Sequence, residues 1–587
     1  MKHLLSLLFL LMVAAKAVAT GDYKQVWMVN HDTESDGYIH GTGKAEHYNV
    51  AVFVPADLID VADLSVGGFS FFLLTPEVSN VKAWVSTRLP RYGTAADLET
   101  VEVAQSDLGT QGNFNDITFS KNYPIPEEGL YVGWSFDVTG LNQYYSRYPL
   151  VFTDTQGNRD GGMYVSTASN TSWQEYPYNL YARILVGSEN FKDYAAAAVS
   201  MEETYALVGK KTSIPVVVKN QGCQPITSLS YSISMGGKPA GTGTVYPRLS
   251  TLNATTTVEL PVTAGKQAVA QQATVTLTAV NNQPNESAEP ATAGRFITML
   301  NKPTPVPVVE EFTATWCGWC PSGIEGMKRA RETYGDQAVL IGVHCNDIMK
   351  IVDYTSVMQK IDGLPSALLN RNTYFYPTPS SFIEAIETAK QDIAPATLEL
   401  SATWTDEKAT SVQLNTEATF PYSDSEAHFA LAYVLTEDGV TGTGSDWTQQ
   451  NFYNGSSGDP DMQYWYSAGR SLPNYVYDHV AIAAWGIQKG LTASSISSHT
   501  AGTPLPFSYT GRLSAPYLVI DKSKVRAIAL LIDTQSGSIV QATQVPVQAP
   551  SLVSLEDITT LIDQYLSTGT TVTLQDITTL IDRYLEQ

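Results

Sequence analysis

Cysteine is scarce in this chain: Cys223, Cys317, Cys320 and Cys345 are the only four in 587 residues. That excludes a disulfide-dense scaffold and leaves one close pair to account for. Charge is scarce too, at 16% of residues, against roughly 25% in an average globular protein. Basic residues are the shorter side. The 35 Lys and Arg against 58 acids leave a net charge of -23, which excludes a general nucleic-acid-binding role. Beyond Thr20 no segment stays apolar over the roughly 20 positions that a membrane-spanning helix needs. What is present is apolar and aromatic. Hydrophobic residues make up 43%, with 42 Gly, 32 Tyr and 18 Phe, which excludes wholesale disorder and suits β-rich domains. At roughly 150 residues per domain, the length suggests about four domains.

The start, MKHLLSLLFLLMVAAKAVAT, has Lys2 and His3 ahead of an apolar run from Leu4 to Ala15, then small residues at Ala15, Ala17 and Ala19. This pattern predicts a secretory signal peptide over 1–19. The run of about twelve apolar residues is too short to span a bilayer. Export implies an oxidising compartment where disulfides persist.

Short alternating runs broken by Gly, Pro and Asn predict a β-sandwich over 20–190, with strands at Tyr48–Val54, Val81–Ser86, Gly129–Val138 and Leu180–Val186. Gly157–Asp160 and Gly161–Gly162 read as turns. A second, immunoglobulin-sized sandwich is predicted over 191–300, with strands at Ser213–Lys219, Ser228–Met235, Thr256–Val262 and Ala273–Ala279. Over 303–393 the pattern alternates. The apolar stretch Val306–Phe312 leads into a helix at Pro321–Tyr334, a strand at Ala338–His344, a strand at Ala367–Asn370 and a helix at Ser380–Gln391, which together predict a small α/β domain. A C-terminal β domain follows over 396–548, with strands at Leu398–Trp404, Phe429–Leu435, Tyr517–Ile520 and Val525–Ile532. Within 551–587, SLEDITTLIDQYL recurs nineteen residues on as TLQDITTLIDRYL, with apolar residues at helical spacing and Ser554 and Thr573 as N-caps. That predicts a short helical hairpin.

One constellation carries chemistry. Thr313–Gly323 reads TATWCGWCPSG, placing Cys317 and Cys320 after a strand and at the start of a helix. A helix N-terminus favours an anion, so Cys317 can exist as a nucleophilic thiolate. Cys320, one turn on, can resolve a mixed disulfide. With Trp316 before the first cysteine, Glu311 six residues upstream and Gly363-Leu364-Pro365-Ser366 downstream, this region resembles the thioredoxin superfamily. The resemblance implies a thioredoxin-like fold over 303–393 and a Cys317–Cys320 disulfide. It also implies Glu311 as the buried acid that moves protons for Cys320, and a cis-proline loop, Leu364–Pro365, facing the disulfide. Together with Trp316 and Trp319, that loop would contact substrate. Gly318-Trp319 between the cysteines and Pro321 after them depart from thioredoxin itself and leave the redox direction open. Two other readings of the pair stand beside this one. It can be an inert disulfide, although so small a loop removes little unfolded-state entropy. It can be half of a zinc site completed by either His344 or Cys345, although no fourth ligand is evident. Cys223 and Cys345 read as buried free thiols.

The segments around His428, Tyr477–Val480 and Leu531–Ala542 resemble the outer-membrane-protein-28-related family of exported Gram-negative proteins, which implies an envelope location. His428 and His479 read as structural, since no matching nucleophile motif accompanies them. The tail resembles degenerate dockerin helices. Asp557 and Asp576 stand where the last calcium ligands would be, but the earlier ligand positions fall on Pro546, Gln548, Pro550, Tyr565, Ser567 and Gly569, so the oxygen cage is missing. Trp84, Trp134 and Trp173 are candidate platforms for glycan or protein contacts, or equally half-buried core residues.

The expectation is therefore an exported multidomain protein of the periplasm, cell surface or secreted fraction. Its function would be thiol–disulfide oxidoreductase, without cofactor or metal, acting on a protein thiol or disulfide and a redox partner, with envelope-protein or glycan contacts through the β domains. The competing expectation is a binding or adhesion protein in which the α/β domain is scaffolding.

Overall fold

The computed structural model describes residues 23–585 apart from 31–36, 60, 109–112, 143, 154–159, 251, 551–553 and 568–570, so the expected signal peptide and most of the Gly157–Asp160 turn lie outside the described residues. The chain is β-rich, with several sheets and a few short helices, and it divides into two compact units. Among the described residues no helix is long and apolar enough to cross a membrane.

In the first unit, period-two alternation sets which side chains face inward. Val50, Val52 and Val54 on the strand His47–Val54, and Val132, Trp134 and Phe136 on Leu130–Val138, all point into one core. There they meet Val66, Phe69 and Phe71 from the strand Ser65–Leu73 of a facing sheet. The two sheets have six and four strands. The same parity corrects one expectation. Trp134 is fully buried, stacked on Phe71 at 5.3 Å, and cannot be a surface platform. Trp84 is buried as well, with the Trp173 ring meeting it at 6.3 Å. Farther along, Ile214, Val216 and Val218 are the inward residues of Lys211–Asn220, which lies between the strands Ala196–Met201 and Thr255–Thr263. Cys223 is a half-buried free thiol against the first core, and burial pushes its pKa up to about 11.

The second unit is built on one eight-stranded sheet. Its first part comprises β1 (Val308–Thr313), α1 (Pro321–Tyr334), β2 (Val339–His344), β3 (Ser366–Leu369), β4 (Thr373–Phe375) and α2 (Pro379–Ala389). Its second part supplies β5 (Phe429–Glu437), β6 (Val480–Trp485), β7 (Val525–Asp533) and β8 (Ile539–Pro546). The strand order is β4-β3-β1-β2-β6-β5-β7-β8, with β1 and β2 parallel, and β2 joined to β6 at Gly342 and Val480. Strands from the 303–393 and 396–548 segments thus share a single sheet.

Pro321 opens α1 at a position where its missing N–H costs nothing. Thr378 and Ser381 form a capping box that starts α2. Both helices pack Met327, Ala330, Phe382 and Ile386 against Val309, Leu340 and Leu369 on one face of the sheet. The other face of β1 and β2 presents Val308, Phe312, Ile341 and Val343 to a larger core that runs on through β5 and β7. Burying each such side chain contributes about 1.5–3 kcal/mol. A three-stranded sheet, Thr397–Trp404, Ser411–Thr419 and Pro504–Arg512, supplies Trp404, Val412 and Leu414 to that core.

The strand expected at Tyr517–Ile520 is absent. Pro516–Leu518 forms a short 3-10 turn, and the Glu437 carboxylate accepts hydrogen bonds from the Ile520 and Asp521 amides, so those donors never enter a ladder. In the tail, α3 (Leu555–Leu566) and α4 (Leu574–Leu585) both begin on a Ser/Thr–Asp pair. Asp557 accepts hydrogen bonds from the Ser554 amide and hydroxyl, and Asp576 does the same for Thr573. These carboxylates cap helices.

Candidate functional site around Cys317 and Cys320

β1 ends at Thr313, and the chain turns through Ala314–Cys320 into α1. Cys317 and Cys320 are joined as a disulfide, with S–S 2.08 Å and Cα–Cα 5.4 Å. Cys320 is fully buried, and Cys317 keeps 6% of its surface exposed. Leu364 packs against the two sulfurs and Ala314, and the Leu364–Pro365 peptide bond is cis. Trp316 and Trp319 stand half out of the surface, and the Trp316 Nε1–H donates to the Asn346 carbonyl at 3.2 Å. The loop itself is tied down by Asp347. Its Oδ2 accepts from the Thr315 amide at 2.9 Å and lies 2.7 Å from His344 Nδ1.

Glu311 sits on the α1 face of β1, against the helix's first turn: a Cβ at Gly323 would collide with its Oε1. The carboxyl is completely buried, and neither oxygen has a hydrogen-bond partner. Burial pushes its pKa well above the carboxylate range. Burial therefore favours the protonated form. Thr313 also lines a cavity of about 320 Å³ shared with His344, Tyr477 and His479.

The residues named from sequence in this region come together: Glu311, Trp316, Cys317, Trp319, Cys320, Leu364 and Pro365 all gather where β1, α1 and the loop before β3 meet. The two histidines named elsewhere do not. His428 pairs with Asp533 at 3.4 Å at one end of β5, and His479 pairs with Asp438 at 3.2 Å at the other. Cys345 is a buried free thiol whose Sγ faces Met358 at 3.5 Å, and burial pushes its pKa up to about 12. Of the groups in the zinc alternative, His344 Nδ1 lies 2.7 Å from Asp347 Oδ2, and Cys317 and Cys320 are joined to each other. Among the described residues no cluster of three His, Cys, Asp or Glu has metal-holding geometry.

One set of neighbours was invisible in the sequence. Gln449 Nε2 donates to the Cys317 carbonyl at 3.0 Å from 132 residues away. The Gln450 amide donates to the Thr315 carbonyl, and the Phe452 amide to the Gly318 carbonyl, each at 2.8 Å. The Phe452 ring lies so close over Gly318 that a Cβ there would meet it. Only glycine fits.

No family model matches the chain, and no curated protein matches it. Among solved structures, HBP35 of Porphyromonas gingivalis superposes with a TM-score of 0.32 at 16% identity, covering 43% of this chain and 78% of that one. A domain of the outer membrane lipoprotein Omp28 from Porphyromonas gingivalis gives 0.15 at 10% identity, covering 27% of this chain and 100% of that one. The CARDB domain of the PF1109 protein from Pyrococcus furiosus, a structure in complex with di-metal ions, gives 0.15 at 15% identity, covering 19% and 99%. All three superpose loosely.

Proposed function

We propose that the chain is an exported thiol–disulfide oxidoreductase whose 303–393 segment is a thioredoxin-like domain. One observation carries this reading: an unpartnered glutamic acid, Glu311, is buried beneath the helix turn that holds the Cys317–Cys320 disulfide. A buried acid without a partner is costly to keep. A purely structural disulfide needs none. The Leu364 side chain packed against Ala314 and the two cysteines supports the same reading.

The chemistry balances as follows. A substrate thiolate attacks Cys317 Sγ, the Cys317–Cys320 bond breaks, and its electron pair leaves on Cys320, which takes the proton of Glu311. The second substrate thiolate then attacks the substrate sulfur of the mixed disulfide and releases Cys317 as thiolate at the helix N-terminus. Two electrons pass from the substrate dithiol to the cysteine pair. A partner of the same thiol–disulfide class returns the pair to its starting state, and its potential sets the net direction.

The test is a Cys320→Ala chain expressed in a bacterial periplasm and separated by non-reducing electrophoresis. Mixed disulfides that vanish when Cys317 is also replaced are the expected result. A clean monomer band, with no insulin-reducing activity in the unmutated chain, would overturn the proposal.

A further inference from the structure

We propose that Phe452, contributed from beyond the α/β segment, is a specificity-determining residue of this site, and that the site takes an extended polypeptide carrying an apolar side chain beside its cysteine. The inference rests on the redox reading above and deepens it.

Phe452 is held from three directions. Its amide is bonded to Gly318, and the preceding Gln449 is fully buried, anchored on the Cys317 carbonyl and accepting from the Tyr477 hydroxyl at 3.2 Å. Between them Asn451, also fully buried, donates to the Trp465 carbonyl at 2.8 Å and the Gly469 carbonyl at 3.1 Å. The segment is a fixed wall, since every one of these buried polar groups would lose its partner if it swung away.

What the wall presents is aromatic. Phe452 meets Trp319 edge-on at 5.6 Å, and Tyr453 meets the same ring edge-on at 5.2 Å, fixing the indole upright beside the disulfide. Trp316, Trp319 and Phe452 are 53%, 50% and 51% exposed around a sulfur whose residue is only 6% exposed. Large rings left half in water beside a recessed reactive atom mark a contact surface.

Charge selects the occupant. Neither Ala314–Cys320, nor the Gln449–Tyr453 segment, nor Leu364–Pro365 contains a charged residue, and the Asp347 carboxylate that ties down the loop is buried against His344. These three segments offer no charged group to the ends of a small thiol. Three rings can bury apolar side chains on either side of a cysteine, and a sulfur whose residue is only 6% exposed is reached by an extended chain laid between them.

The experiment uses the full-length Cys320→Ala chain and two peptide disulfides, one with Phe flanking its cysteine and one with Glu. The Cys317 thiolate attacks either disulfide, one peptide is retained as mixed disulfide, and the other leaves as thiolate. Rates are normalised to 2-hydroxyethyl disulfide, a small uncharged reagent. The Phe peptide is expected to react about tenfold faster than the Glu peptide, the discrimination an apolar contact supplies. Phe452→Ala should collapse that ratio, and Phe452→Leu should restore most of it. A ratio near one in the parent chain, or an unchanged ratio in Phe452→Ala, overturns the assignment, because a structural role lowers all rates together. Failure to react with any of the three disulfides removes the redox reading and this inference with it.

Discussion

Two adjacent glutamates on β1 have opposite fates. Glu310 faces the larger core and is fully buried, but Arg371 grips it with both Nε and Nη2, at 2.8 and 2.6 Å, and the Tyr354 hydroxyl donates at 2.9 Å. Burial works against the Arg371 charge, and Glu310 more than offsets it, so the guanidinium pKa is raised. Glu311, one residue on and therefore on the other face, is equally buried and has neither cation nor hydrogen bond. The first is a satisfied structural network, and the second is an unsatisfied acid beside a disulfide. Burial alone does not mark a functional group. A missing partner calls for an explanation.

The contrast can be broken from the Glu310 side with the largest effect. Arg371→Met strands a buried carboxylate and should cost about 3–5 kcal/mol of stability, read by urea unfolding. Glu311→Gln should cost little stability but slow disulfide exchange about 100-fold near neutral pH, the scale of a lost acid–base group, in stopped-flow assays. Its pH dependence carries a definite sign. The folded pKa of Glu311 lies above its ordinary 4.5, so its stabilising proton is fully bound below that value and lost as pH rises through the folded pKa. The unmutated chain should therefore lose stability relative to Glu311→Gln as pH climbs above 4.5, by at most about 1.4 kcal/mol per pH unit. Glu437, whose pKa burial pushes up to about 7, titrates with the same sign in both chains and cancels from the difference.

Smaller effects sharpen the same comparison. Replacing Cys317 and Cys320 by serine closes no loop and should cost about 2 kcal/mol in unfolding experiments, by the loop-entropy relation for so short a ring. Tyr354→Phe removes one of three hydrogen bonds to Glu310 and should cost about 1.5 kcal/mol, with no change in exchange rate.

Much of this was legible in the chain, for local reasons. α1 runs over the very residues its pattern predicts, because Pro321 pre-sets its first turn. Glu311 is named through the resemblance alone, six residues before Cys317, and nothing else in the local pattern singles it out. Trp134 is open to both readings by type, and its parity with Val132 and Phe136 places it in the core. Tyr517–Ile520 looked like a strand, and only the distant Glu437 carboxylate shows why it is not. Gln449 and Phe452 lie in a polar stretch with no periodic signal, and their role arises from β2 pairing with β6 at a single position, Gly342 with Val480. Contacts of that sequence separation leave no local trace.

The most direct measurement is a redox titration of the Cys317–Cys320 pair in the full-length chain. The protein is equilibrated in glutathione buffers of graded ratio, alkylated, and weighed by mass spectrometry. An exchange-competent pair should be half reduced between about -120 and -270 mV, the range of thiol–disulfide oxidoreductases. A pair that stays oxidised at potentials below about -300 mV is a structural disulfide, and that result would contradict the account.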